Sequence, residues 1–350
     1  MKFISIGPFP PPIMGMSYIN DSFYNKIKKS NIEVIKIDTT FKYNNNKFIK
    51  YLIKPLFLLI KIFALLKFIK YNKSIIYKSL SDSTGVYFDI IFILIARIFS
   101  CKIILHHHSS KHIIKYSLMF KIICICTKKN CTHICLTENM KKKLIKIYKI
   151  KKIISLSNII FLNRRGKFNK KKKLNTVGFL ANIIKEKGIF RYLDVIKKLE
   201  NLKIKGLVGG PIHNDEYRIR KIFKNTKNLK YLGAINNKKK ELFFKNIDIL
   251  LFPSTLTEAE PLVILECLIR GIPVIAIKTG FINEILNYDS GYVFSKNQFV
   301  KKTLEIIIKF KLRKLILKKY STNSISFAKK LNFENQQKFR LILKEIKNAN

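Results

Sequence analysis

Short apolar runs bounded by Gly, Pro or Asn alternate along the chain with longer stretches of helical periodicity, the pattern of parallel sheets covered by helices. The first half predicts strands over Lys2–Ile6, Ile32–Ile37, Ser74–Tyr77, Lys102–Leu105 and His133–Leu136. A polar, basic stretch without periodicity, FLNRRGKFNKKKK near residues 161–173, then reads as a linker. The alternation restarts after it: LNTVGFL as a strand, GIFRYLDVIKKLE as a helix and KIKGLVGG as a strand. NLKYLGAI, IDILLFP and IPVIAI follow as strands, with a helix over Pro261–Arg270 before the last. The expected fold is therefore α/β, two successive doubly wound units over 1–165 and 166–330, followed by a helical tail over 331–350. Ligands of such sheets bind at the carboxyl ends of the strands, which places the expected site in a central cleft between the units.

The segment YLIKPLFLLIKIFALLKFIK (Tyr51–Lys70) is apolar enough to suggest a membrane span, but Pro55 and Lys54, Lys61 and Lys67 interrupt it. Two readings stand: a helix lying in the lipid headgroup plane with its lysines reaching phosphates, or a helix half-buried on the first sheet. Charge sharpens the choice of partner. The 350 residues carry 69 Lys+Arg against 21 Asp+Glu, a formal charge of +48, and such a field favours anionic partners. The lysines are scattered over the whole chain, which also fits compositional drift with a solvated surface. No nucleic-acid motif is present, so no specific nucleic-acid partner is expected. The six cysteines point to a reduced compartment; Cys124, Cys126, Cys131 and Cys135 lack zinc-knuckle spacing and read as packing residues, and no metal site is expected. The opening MKFISIGPFPPP reads as a first strand and a Gly/Pro loop, not as a signal peptide.

Candidate chemistry gathers in FPSTLTEAEPLVILECLIRGIPVIAIKTG (Phe252–Gly280). Pro261 suits the first turn of a helix, Arg270 its last turn and Gly271 the position beyond. The amides of Leu262 and Val263 then form a prepared phosphate site at the helix start. Glu266, the only acid in the run Pro261–Ile269, lies one turn further in and needs hydrogen-bond donors. Ribose hydroxyls would supply them, and so would a lysine. Glu258, in the loop before the helix, would reach the part of the ligand beyond the phosphates, or remain a solvated loop acid.

PSTLTEAEPLVILECLIRGIPVIA resembles the E-x7-E region of the retaining glycosyltransferases of family 4, with Glu258 and Glu266 on the two glutamates and Pro253, Ser254, Pro261, Gly271 and Pro273 matching too. The resemblance implies a GT-B fold, two Rossmann-like domains with a nucleotide-sugar in the cleft, Glu258 on the donor sugar and Glu266 on the ribose. IGPFPPPIMGMSYIN resembles the first-strand loop whose glycines admit the donor phosphate; Gly15 survives and Met14 stands where the family often has another glycine. IILHHHSSKH places His108 on the family histidine beside the donor sugar, with Ser109 for the usual Gly. VGFLANIIKEKGI places Lys187 on the lysine of the diphosphate clamp and Asn182 at the arginine position, removing one fixed positive charge. The C-terminal tail is expected, as in this fold generally, to cross back onto the first domain.

Breaking the bond between a sugar and a diphosphate builds negative charge on the leaving oxygen, so donors fixed there matter most. Lys187, the amides of Leu262 and Val263 and the Gly15 loop are the candidates, with His108, Glu258 and Lys187 expected to be catalytic. The resemblance implies a metal-independent reaction with retained configuration, and the sequence holds no Asp-x-Asp pair to carry a divalent ion. The expectation is a transferase without cofactor that takes a nucleotide-sugar donor to a glycan or lipid-linked acceptor in surface polysaccharide or lipopolysaccharide synthesis. It would work in the cytoplasm, peripherally at the inner face of the membrane. The alternative is a non-catalytic basic protein held to anionic membrane or nucleic acid by charge, whose binding would collapse with salt.

Overall fold

Two parallel six-stranded sheets, each flanked by helices, organise the chain in a computed structural model that describes residues 2–348 except 42–46, 72, 83, 129, 163–172, 214, 287–288 and 314. They belong to two units: 1–161 together with 334–350, and 162–333. Most of the expected linker, 163–172, lies outside the described residues.

The first unit runs β1 (Lys2–Gly7), α1 (Gly15–Lys28), β2 (Glu33–Asp38), α2 (Lys47–Phe68), β3 (Ser74–Ser79) and α3 (Gly85–Ile98). It continues with β4 (Lys102–His106), α4 (Lys111–Ile114), α5 (Leu118–Cys126), β5 (Cys131–Cys135), α6 (Glu138–Tyr148) and β6 (Ile153–Ser155). The sheet order is β2-β1-β3-β4-β5-β6, so the direction of winding reverses between β1 and β3. Strands buried on both faces explain the near-continuous apolar runs, with every residue of β3 and β5 buried. Phe23 of α1 stacks on Tyr77 at 4.4 Å and seals the centre of the sheet. Helix α2 buries Leu58, Ile62 and Leu65 and leaves its other face exposed. It begins before the apolar segment and carries Pro55 inside it rather than ending there.

The second unit runs β7 (Thr176–Leu180), α7 (Ile189–Lys198), β8 (Lys205–Gly209), α8 (Glu216–Lys224), β9 (Leu229–Tyr231) and α9 (Asn237–Asn246). Then come β10 (Ile249–Phe252), α10 (Leu262–Arg270), β11 (Val274–Ile277), α11 (Ile282–Ile285), β12 (Gly291–Phe294), α12 (Phe299–Lys311) and α13 (Leu317–Lys347). Its sheet order, β12-β11-β10-β7-β8-β9, reverses between β7 and β10. Helix α13 contributes to both units. Its early residues pack against Gly271 and donate from Ser324 Oγ to Ser290 O. Its last turns set Phe339 edge-on to Phe23 at 5.6 Å, and Asn335 Oδ1 accepts from Ser157 N at 2.7 Å.

Candidate functional site

In the second unit the winding reversal opens the carboxyl ends of β7 and β10 side by side, the place where doubly wound sheets take their ligands. The loop after β7 brings Lys187 there and the loop after β10 brings Glu258. Lys187 Nζ donates to Glu258 Oε1 at 2.6 Å, and Ser254 Oγ donates to the same oxygen at 2.8 Å. The two side chains are only 23% and 14% exposed, so the pair is poorly screened. The two loops are stapled by the backbone as well: Thr255 N donates to Glu186 O at 2.8 Å. Gly188 makes that approach possible. Its φ is +85°, and a Cβ there would lie 2.1 Å from Pro253 O. A third loop, after β11, closes on the same spot, with Phe281 N donating to Glu258 O at 3.0 Å.

Helix α10 starts at this edge. Pro261 is its capping residue, with extended ψ of 119°, and not part of the first turn as expected; its carbonyl accepts from Ile264 N at 3.1 Å. The amides of Leu262 and Val263 precede that first bond and find no backbone acceptor among the described residues. With the positive end of the helix dipole they form an anion site. Glu266 has the lysine donor that stood beside the ribose in the sequence reading: Lys240 Nζ of α9 reaches its Oε1 at 2.6 Å. Its Oε2 is buried and unpartnered. One residue further along α9, Glu241 Oε1 accepts from Arg270 Nη2 at 2.6 Å, so two crossed ion pairs lock α9 to α10. Arg270 Nη1 also donates to Glu266 O within α10. Asn182, at the arginine position of the resemblance, is exposed in the loop after β7.

In the first unit Gly15 is the first residue of α1 and not a loop glycine; it is exposed, and the turn before it is held by Met14 N donating to Ser17 Oγ at 2.9 Å. His108 follows β4, its ring 4.0 Å from that of His106 and its Nε2 buried without a partner. Burial, and then the charge of Lys78, push its pKa down to about 3, so the ring is neutral. Lys78 is itself buried and paired with Asp89 at 2.7 Å. The neighbouring His107 is bonded on both nitrogens, to His112 Nε2 at 2.9 Å and His133 Nδ1 at 3.0 Å. A neutral imidazole has one donor and one acceptor, so this row of rings is polarised in one direction. Cys131 and Cys135 are buried in β5, and burial pushes the Cys131 thiol up to about 12. Sequence reasoning missed Lys240, Ser254 as a partner of Glu258, and the Lys78–Asp89 pair. Only Ser254 carried a signal, since it lies within the motif.

The family model for glycosyl transferases group 1 matches residues 161–337, just over half of the chain. A Klebsiella pneumoniae protein described as an uncharacterized 41.2 kDa protein in the cps region is 31% identical over 147 residues, which are 41% of this chain and 39% of that protein. Among solved structures, a sucrose-phosphate synthase from Thermosynechococcus elongatus superposes with a TM-score of 0.72 at 10% identity, covering 99% of this chain and 100% of that one. Anabaena Alr3699/HepE, solved in complex with UDP, gives 0.68 at 13% identity over 98% and 99%. TarM gives 0.61 at 17% identity over 84% of this chain, which spans 58% of TarM. These likenesses match the two-unit α/β architecture to that of GT-B glycosyltransferases. The chain belongs to the glycosyl transferases group 1.

Proposed function

We propose that the protein moves a sugar from a nucleotide-sugar donor to a glycan or lipid-linked acceptor with retained configuration, as a member of the family 4 type, in surface polysaccharide or lipopolysaccharide synthesis. One observation carries the reading: a lysine, a glutamate and an unbonded helix start converge where the second sheet reverses its winding. The amides of Leu262 and Val263 hold the donor diphosphate. Lys187 leaves Glu258 and neutralises charge on the departing oxygen, a role in which fixed donors dominate. Glu258, freed of its lysine, accepts from hydroxyls of the donor sugar, and Glu266 Oε2 accepts from the ribose. Gly15 and the neutral ring of His108 are proposed to contact the donor from the first unit, which carries acceptor recognition, and Asn182 to donate one hydrogen bond in place of an arginine. The departing phosphate takes the acceptor's proton, so no residue need act as general base and no metal or cofactor is required. Support for a polysaccharide pathway comes from the cps-region relative.

The test is a thermal-shift and hydrolysis screen against UDP-, GDP- and ADP-sugars, followed by Glu258→Ala. A single nucleotide class should stabilise the protein, and Glu258→Ala should lower turnover by at least about a hundredfold while the protein stays folded. Normal turnover by that variant, or binding of none of the donors, would sink the proposal.

A further inference from the structure

The apolar segment around α2 has no part in the donor site. More than half of the large hydrophobic side chains exposed among the described residues lie between Ile53 and Ile125. They belong to α2, α3 and the elements up to α5. The crossovers β2–β3, β3–β4 and β4–β5 all advance the same way across the sheet, and right-handed crossovers of that kind lay their helices on one face. Helix α3 accordingly packs against both α2 and α5. Outward from this layer point Leu56, Ile60 and Phe63 of α2 at 61–69% exposure, Leu94 and Ile98 of α3, and Ile125 of α5. The next helix, α6, behaves as an ordinary solvated helix and turns Lys142, Lys143 and Lys146 outward.

Charge identifies what covers the apolar layer. From Thr39 to Thr137 the sequence has sixteen Lys or Arg and two acids, Asp82 and Asp89, and Asp89 is buried in its pair with Lys78. Lys67, Lys70 and Lys73, at the end of α2 and just beyond it, are all exposed, and the sequence holds no acid from Thr39 to Ser81. Lys61 lies with its ammonium 4.7 Å over the Phe57 ring, its stem along the helix. A protein partner for so large an apolar face would leave these lysines without a defined counter-charge, whereas an anionic bilayer offers hydrocarbon and phosphate in two adjoining layers. No helix of the described residues is long and apolar enough to cross a membrane.

We infer that α2, α3 and α5 form one docking face on which the protein lies on the surface of an anionic membrane, with the exposed side chains at acyl depth and the lysines among the phosphates. This rests on the first unit alone and holds whether or not the transferase reading does. The experiment is co-sedimentation of the full chain with vesicles of phosphatidylcholine, alone or mixed with phosphatidylglycerol, at low and high salt. The compared variants are Ile60→Ser with Phe63→Ser, and Lys67→Gln with Lys70→Gln. All four positions are at the surface, so thermal unfolding should match the parent. The expected result is strong binding only to mixed vesicles, partly retained in salt, with at least about a tenfold loss in the Ile60/Phe63 variant and a smaller, salt-dependent loss in the lysine variant. The inference is overturned if the Ile60/Phe63 variant sediments like the parent, if no vesicle binds, or if those two side chains instead control self-association of the chain. Donor-induced thermal shifts should be the same in all variants, which separates this result from the outcome of the donor screen.

Discussion

Five of the six histidines, His106, His107, His108, His112 and His133, are held neutral in the first unit, and this makes its stability steeply dependent on pH. Burial is the largest cause for each: it lowers His108 and His133 to about 3 and His112 to about 4, against 6.5 for an ordinary imidazole. In the unfolded chain all of these rings take up protons as the pH falls through 6.5, while the folded chain takes up none until far lower. The unfolded state thus binds more protons, and stability is complete above pH 6.5 and lost below it. Going from pH 7 to pH 5 costs about 2 kcal/mol for each such ring, or about 6 kcal/mol for His108, His112 and His133 together, against a total stability of about 5–15 kcal/mol. Burial raises Glu138 and Glu345, but hydrogen bonds from Ser155 and Lys338, and from Lys152 and Thr132, outweigh it and hold both below their ordinary value of 4.5, so their loss falls mainly below this window. The assay is urea unfolding at pH 7, 6, 5.5 and 5. It is followed by circular dichroism and by fluorescence of the fifteen tyrosines, since the chain has no tryptophan. The midpoint should fall steadily, and His112→Gln should lose about 2 kcal/mol less than the parent over the same range. Flat stability down to pH 5, or an equal pH response in His112→Gln, would refute the reasoning.

Three further outcomes follow from the same geometry. Lys240→Met removes the partner of Glu266 Oε1 and should raise the donor KM about tenfold with little change in kcat, while Lys240→Arg keeps most of the affinity; steady-state kinetics on the donor found in the screen decides it. Gly188→Ala forces a Cβ against Pro253 O at a positive φ and should cost about 3 kcal/mol in urea unfolding, and a loss under about 1 kcal/mol would contradict the steric account. Lys78→Met leaves Asp89 buried without its cation and should cost about 3–5 kcal/mol, most of it recovered by adding Asp89→Asn, whose amide oxygen can still accept from Ser81 N; no recovery in thermal unfolding would point to packing instead.

Much of the sheet was legible because buried parallel strands are apolar throughout, and β1, β3, β4 and β10 lie within a residue or two of their expected bounds. Strands β6 (Ile153–Ser155) and β12 (Gly291–Phe294) escaped notice. Both are sheet edges of three or four residues, and their pairing is supplied by β5 and β11, not by their own pattern. Helix α10 was visible from Pro261, Arg270 and Gly271, but Pro261 caps the helix because its ψ stays extended. What could not be read was partnership across distance. Glu266 needed a donor, and the sequence offers 69 basic residues; only folding brings Lys240 within 2.6 Å of it, 26 positions away. Likewise nothing local in the sequence announces that Lys78, just past the expected strand Ser74–Tyr77, is neutralised by Asp89 in the core.

The stapling of the Glu258 loop has a consequence for how such an enzyme diversifies. Its course is fixed by main-chain bonds to Glu186 and Phe281 and by the tight fit at Gly188 and Gly280, none of which depends on which side chains the loop displays. The exposed Leu256 stands on that rigid trellis. On the role proposed for Glu258, residues there can be exchanged to suit a different donor sugar while the carboxylate stays in register, so that selectivity drifts without dismantling the site.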